Sequence, residues 1–276
     1  MRTYIYRRAM GVLLLAAISQ WAAAGPPVFD VHIHYSHDAW DAIPPERAIA
    51  KLREAGIVRA LVSSSSDEGT QRLYAAAPDL VIPALRPYRR LGEQGTWLHD
   101  ETVTAYLEKR LAHHRYAAIG ELHLSGHEAD LPVMRRVVQL AREHGLMLHV
   151  HSDAEAIERL FAQDPEIRIL WAHAGFEHGS RVQEMLERYP NLWADLSIRR
   201  EIYVNGRFLP PWRELLQSHS DRFMVGVDTY TPQRWLEIRE VLDGFEEWLA
   251  QLPYEVAEAI RYGNAARVIG TRFRAQ

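Results

Sequence analysis

Eight short apolar or β-branched runs recur along the chain, and stretches of helical periodicity separate them. This alternation restricts the fold more than any single residue does. The runs are Val28–His34, Arg59–Ser63, Val81–Arg86, Ala117–Leu124, Met147–His151, Ile167–His173, Leu192–Ser197 and Phe223–Asp228. Between them lie amphipathic segments. Leu131–Glu143 gathers Val133, Val137, Val138 and Leu140 at helical spacing, and Val182–Tyr189 and Trp235–Leu249 behave likewise. Strands alternating with helices predict parallel βαβ units, because a parallel neighbour is reached only through a crossover. Eight units in 276 residues predict an α/β fold closed into a (β/α)8 TIM barrel, which reaches this size as one domain. The alternative is an open doubly wound sheet, but no Gly-rich phosphate loop follows the first run.

Residues 1–24 are unlike the rest. Arg2, Arg7 and Arg8 precede the apolar run from Gly11 to Ile18, and Ala22-Ala23-Ala24 offers small residues for cleavage before Gly25. That is the layout of a secretory signal peptide, which leaves 25–276 as a single barrel domain in the periplasm or outside the cell. The apolar run is short for a membrane span, so no stable membrane insertion is expected after cleavage. The chain has no Cys, which excludes disulfides and cysteine lipidation and leaves stability to the core. The segment carries three arginines and no acids, so its removal takes the formal charge from −4 to −7. A net-acidic protein is a poor partner for nucleic acid; a small-molecule substrate is expected instead.

In a (β/α)8 barrel the site forms at the C-terminal ends of the strands. The first run ends in Phe29-Asp30-Val31-His32-Ile33-His34, and period-two alternation puts His32 and His34 on one face with Phe29, Val31 and Ile33 on the other. The fourth run carries Glu121, followed by His123; the fifth carries His149 and His151; the sixth ends at His173; the eighth ends at Asp228. Each of these polar residues alternates with an aliphatic neighbour, as Glu121 does with Leu122 and Asp228 with Val227. Singly, a strand His is more often a hydrogen-bonded core residue, and a strand-end Asp is often a helix cap. Imidazoles and carboxylates gathered at five strand ends predict a divalent-metal site.

Taken in order, these motifs resemble the amidohydrolase superfamily, in its amidohydrolase-related, metal-dependent hydrolase branch. The resemblance runs from about Val28 to Gly270. It rests on Asp30-Val31-His32-Ile33-His34, His151, Trp171-Ala172-His173-Ala174-Gly175, Asn191-Leu192-Trp193-Ala194-Asp195-Leu196-Ser197, Phe223-Met224-Val225-Gly226-Val227-Asp228 and Gly263-Asn264-Ala265-Ala266-Arg267. It implies a distorted barrel holding one or two divalent ions, with His32, His34, His151, His173 and Asp228 as ligands. With one ion, His32, His34, His151 and Asp228 form the shell; with two, Glu121 and His173 join, Glu121 as the bridge. Members bridged by a carboxylated lysine are excluded as models, because Lys51 and Lys109, the only lysines, lie in helical stretches. His149 is expected one layer deeper, and Asp30 below the metal as a partner of its ligands.

The chemistry expected of this set is hydrolysis. Imidazole and carboxylate donors suit Zn2+ and also Mn2+, Fe2+, Co2+ or Ni2+. A metal with an open position makes hydroxide available at neutral pH. Asp228 is expected to carry the proton and His173 to bind a second ion or stabilise developing charge. Arg86 is expected to anchor substrate and His123 to touch it, while Arg199, Trp40 and Tyr230 are further pocket candidates. The leading reaction is cleavage of an amide, ester or lactone bond. Non-oxidative decarboxylation and, on the Gly120-Glu121 turn, a metal-dependent deoxyribonuclease are the alternatives.

Overall fold

Parallel pairing joins eight strands in strict sequence order: β1 (Val28–His34), β2 (Ile57–Ser63), β3 (Val81–Leu85), β4 (Ala118–His123), β5 (Met147–His151), β6 (Arg168–Trp171), β7 (Leu192–Asp195) and β8 (Phe223–Met224). The structure is a computed structural model that describes residues 25–90 and 92–273. The expected signal peptide, residues 1–24, lies outside the described residues. Backbone and side-chain bonds tie the last strand to the first. Val31 N–H donates to Val225 O (3.1 Å), Asp228 N–H to His32 O (2.7 Å) and His34 N–H to Thr229 Oγ1 (2.8 Å). The result is a nearly closed barrel, and its seam holds Asp228 against the β1 histidines.

Helices alternate with the strands: α1 (Pro45–Glu54), α2 (Asp67–Ala76), α3 (Thr102–His113), α4 (Pro132–His144), α5 (Ala154–Gln163), α6 (Gly179–Arg188), α7 (Trp212–Ser218) and α8 (Ile238–Leu249). Their bounds follow local chemistry. Proline stands in the first turn of α4, where its missing N–H costs nothing, and Gly145 ends that helix at φ +65°. The expected helix Trp235–Leu249 instead divides into a short turn at Gln233–Trp235 and α8. A two-stranded hairpin, Tyr203–Val204 with Arg207–Phe208, follows β7 and lay outside the expected pattern. Among the described residues no helix is long and apolar enough to cross a membrane.

Two apolar layers hold the barrel. Ile33, Val62, Val81, Leu85, Ile119, Leu148, Val150, Ile169 and Val225 pack outward against the helices. Inside the barrel, Leu61, Ile82, Ala84, Ala118, Met147, Leu170, Trp193 and Met224 pack with Val268, Ile269 and Phe273 of the C-terminal segment. The simple alternation expected in β1 does not hold. A register shift between Asp30 and Ile33 puts Phe29 and Val31 in the inner cluster and Ile33 in the outer one. Such a bulge changes which face a side chain takes. The register also shifts between Gly120 and Leu122 in β4. Gly120, at φ +140°, is forced by contact: a Cβ there would stand 2.1 Å from His149 O.

Several runs end earlier as regular strands than their apolar patterns predict. β6 stops at Trp171 because His173, Ala174, Gly175 and Phe176 all take left-handed backbone angles. β8 stops at Met224, and Asp228 also has positive φ (+57°). These departures are confined to the barrel mouth, where the chain leaves the ladder and turns polar side chains inward.

Candidate metal centre

Three imidazoles and two carboxylates meet in the buried mouth of the barrel. His32 Nε2 lies 3.0 Å from His34 Nε2, which is 3.1 Å from Glu121 Oε2 and 3.3 Å from Asp228 Oδ1. His32 Nε2 is 3.5 Å from Glu121 Oε1 and 3.6 Å from Asp228 Oδ1. His173 Nε2 completes the group, 3.6 Å from Glu121 Oε1 and 3.8 Å from Asp228 Oδ2. All five residues are buried.

The partners behind these rings decide where their lone pairs point. Nδ1 of His32 faces Asp195 Oδ2 at 3.1 Å, Nδ1 of His34 faces Ser63 O at 3.0 Å, and Nδ1 of His173 faces Ser197 O at 2.9 Å. Each acceptor calls for an Nδ1–H, so each ring, once neutral as a metal ligand must be, turns an Nε2 lone pair inward. Three lone pairs facing two carboxylates repel one another unless a cation or protons intervene. Among the described residues the buried Asp228 Oδ1 has no hydrogen-bond partner. Ligands about 2.0–2.1 Å from a tetrahedral ion stand about 3.3 Å apart, close to the separations seen. The residues therefore fit a divalent ion.

The grouping differs from the one-ion set expected from sequence. His173, rather than His151, shares ligand-forming distance with His32 and Asp228. His151 groups with Glu121 and His123, and presents Nδ1 to Glu121 Oε1 at 2.9 Å. Glu121 lies within reach of both groups.

Beneath them sits a residue to which sequence reasoning gave no role. Asp195 is fully buried on β7. It accepts from His32 Nδ1, from His149 Nε2 (3.3 Å), from the backbone N–H of Ser197 (2.9 Å) and His173 (3.3 Å), and from the Ser197 hydroxyl. Burial alone would raise this carboxyl; His32 beside it and the bonds from His149 and His32 hold it well below the ordinary range. Burial and the neighbouring His32 push His149 down to about 4. His149 is thus a neutral donor one layer down, where it was expected. The available signal for Asp195 was its parity: it alternates with Ala194 and Leu196 in a motif already noted. Asp30 supports β1 through the backbone, accepting from His32 N–H (2.9 Å) and Val227 N–H (3.2 Å), and burial pushes it up to about 7. We expect Asp195→Asn to weaken metal binding by about 10–100-fold, because an amide cannot accept every bond that orients His32. Competition with a chromophoric chelator measures this, and unchanged affinity would remove Asp195 from the site's support.

The remaining candidates separate into pocket and frame. A cavity of about 330 Å³ opens over the centre, lined by Arg86, Tyr88, His123, Phe176 and Tyr230 among others. Arg86 is buried and donates from Nη2 to Glu121 Oε2 at 2.9 Å, while its Nε has no partner among the described residues. His123 stacks on His151 at 4.3 Å, and burial pushes it down to about 3 against the pull of Glu121. Arg199 does not line this cavity. It is buried and donates to His173 O and Glu177 O (2.8 Å each), pinning the left-handed turn after β6. Trp40 packs beside Tyr35 and His37 and does not line the cavity. Lys51 and Lys109 lie on α1 and α3, away from the strand ends.

Comparison with known proteins gives the same architecture. The amidohydrolase family model matches residues 29–271. No curated protein matches the sequence significantly. Among solved structures, a Pseudomonas putida protein assigned as a 2-pyrone-4,6-dicarboxylic acid hydrolase is similar at 17% identity and TM-score 0.62, over 90% of this chain and 99% of that one. A TatD homologue from Escherichia coli aligns at 17% identity and TM-score 0.59, over 88% and 98%. A β-aspartyl dipeptidase from Fervidobacterium islandicum aligns at 20% identity and TM-score 0.51, over 89% and 73%. At these identities the likeness is one of fold.

Proposed function

The chain belongs to the amidohydrolase family, and we propose that it is a metal-dependent hydrolase cleaving an amide, ester or lactone bond of a small molecule. The observation that carries this reading is the orphaned Asp228 Oδ1, buried 3.3 Å from His34 Nε2 at the floor of the cavity. His32, His34, His173 and Asp228 would hold one ion, and Glu121 with His151 would extend the site to a second. Zn2+ suits this thiolate-free set best, with Mn2+, Fe2+, Co2+ or Ni2+ as alternatives. When bound, the metal supplies Lewis acidity to a water molecule and to the scissile carbonyl.

The protein's own residues supply the rest. Asp228 accepts the proton of the attacking water and returns it to the departing group. His173, held by Ser197 and by its left-handed turn, keeps a fixed position beside Asp228. Arg86 lines the cavity and offers charge to a carboxylate or carbonyl oxygen of the substrate, although part of its guanidinium is committed to Glu121. A cavity of about 330 Å³ suits a small molecule. The pyrone hydrolase and dipeptidase among the similar folds support such a substrate. The proposal includes export, with residues 1–24 as the signal and the enzyme acting in the periplasm or outside the cell.

The test is turnover of a panel of lactones, esters and amides by the metal-loaded protein, followed by proton release. Metal-dependent cleavage within the panel is expected. No cleavage, together with CO2 release from a matched set of carboxylic acids, would overturn the hydrolase reading in favour of a lyase. Metal-dependent plasmid nicking that survives purification would favour a nuclease.

A further inference from the structure

Tyr88 and His123 stand beside the centre in an arrangement unlike that of the other histidines. The Tyr88 hydroxyl lies 2.9 Å from His123 Nδ1 and also 2.9 Å from the backbone nitrogen of His123. The backbone N–H can only donate, so the phenol oxygen accepts it. Tyr88 is buried, at 2% exposure, and its own O–H proton needs an acceptor. Among the described residues the acceptor within hydrogen-bond distance is His123 Nδ1. Were Nδ1 protonated, two N–H groups would converge on one oxygen and leave the phenol proton unpaired.

We infer that Tyr88 fixes His123 in the Nε2–H tautomer, so that His123 donates a hydrogen bond to an oxygen of the substrate instead of ligating an ion. This is the opposite polarity to His32, His34 and His173, whose Nδ1 atoms all face acceptors. Sequence spacing cannot separate the two kinds, because His123 stands to Glu121 as His34 stands to His32. The Nε2 end of His123 lies 3.7 Å from Glu121 Oε1 and lines the cavity. A neutral imidazole with its N–H aimed at a reacting oxygen polarises it without first losing a proton. Tyr88 is a positioning residue in this scheme and His123 the group that touches substrate. Arg86, whose guanidinium lies 4.9 Å from the Tyr88 ring centre, lines the same cavity. The role assigned to His123 rests on the hydrolase reading; its tautomer does not.

The test is therefore spectroscopic first. Long-range proton–nitrogen correlation on histidine-labelled, zinc-loaded protein reports which ring nitrogen carries hydrogen, with His123→Gln identifying the resonance by its loss. Nε2–H is expected in the wild type, and a mixed or inverted population in Tyr88→Phe. Nδ1–H in the wild type would overturn the inference, as would a tautomer unmoved by Tyr88→Phe. His123→Gln should keep the wild-type metal stoichiometry, and loss of an equivalent would make His123 a ligand. Kinetics then separates position from bulk. A Gln amide nitrogen reaches the Nε2 position, whereas an Asn amide reaches only Nδ1. Turnover should fall by less than about tenfold in His123→Gln and by about 10²–10³-fold in His123→Asn, the usual loss of one such donor. Equal losses in both variants would refute the donor role. A protein that turns over nothing in the panel would fail as a hydrolase while its tautomer remained readable.

Discussion

Asp228→Asn is expected to lower kcat by about a thousandfold while leaving the fold and the bound metal in place. Positioned proton transfer contributes about 10²–10⁴-fold to a rate, and in the proposed reaction Asp228 provides it. Its backbone N–H is anchored to His32 O at 2.7 Å, and Arg234 donates to its carbonyl at 3.2 Å. The side chain is thus held over the β1 histidines by the barrel seam. Asparagine keeps an oxygen for the ion and removes the capacity to accept and return a proton. Steady-state kinetics, elemental analysis and circular dichroism on one preparation separate these effects. Activity within tenfold of wild type, with metal retained, would refute the proton-carrier role.

Chelation of the metal is expected to abolish turnover and to lower the melting temperature by about 8–16 °C. The physical cause is the crowding at the mouth. Three Nε2 atoms and two carboxylates make contacts of 3.0–3.8 Å with their lone pairs converging. An ion at a thousand times its dissociation constant stabilises the folded state by about 4 kcal/mol. In a chain of this size each kcal/mol moves the midpoint by about 2–4 °C. Calorimetry before and after stripping and reloading with Zn2+ or Mn2+ reads the shift. Elemental analysis of the purified protein reads the number of ions, and two equivalents would fit Glu121 as a bridge. An absence of metal as purified, with no thermal or catalytic response to either cation, would sink the metal-hydrolase reading.

Much of this was visible in the sequence, for an identifiable reason. The period-two alternation of His32 with Ile33, His149 with Val150 and Glu121 with Leu122 is local, so it survives in one dimension. The eight apolar runs likewise announced eight strands, although those ending at His173 and Asp228 leave regular pairing sooner than their composition indicates. Apolarity persists to Val227 because these residues still pack outward. The ladder stops because positive backbone angles at the mouth swing the polar residues into the centre, and no composition signal reports φ.

Other features became legible only around the circle of strands. Asp195 reads in sequence as one acid in a motif; its importance comes from lying under His32, His149 and His173, three chain segments that meet only after closure. Arg199 reads as a pocket candidate until its guanidinium is seen to bind the carbonyls of the turn after β6. Phe29 and Val31 change face because a bulge inserts a residue into β1.

The sequence by itself determined the alternating architecture, the family and the residue types available for metal chemistry, because these depend on composition and on spacings of two to four residues. Only the tertiary structure decided which imidazoles offer lone pairs and which offers a proton. That choice depends on the hydrogen-bond acceptor or donor behind each ring. Those partners, Asp195 for His32, Ser197 for His173 and Tyr88 for His123, arrive from distant strands through barrel closure.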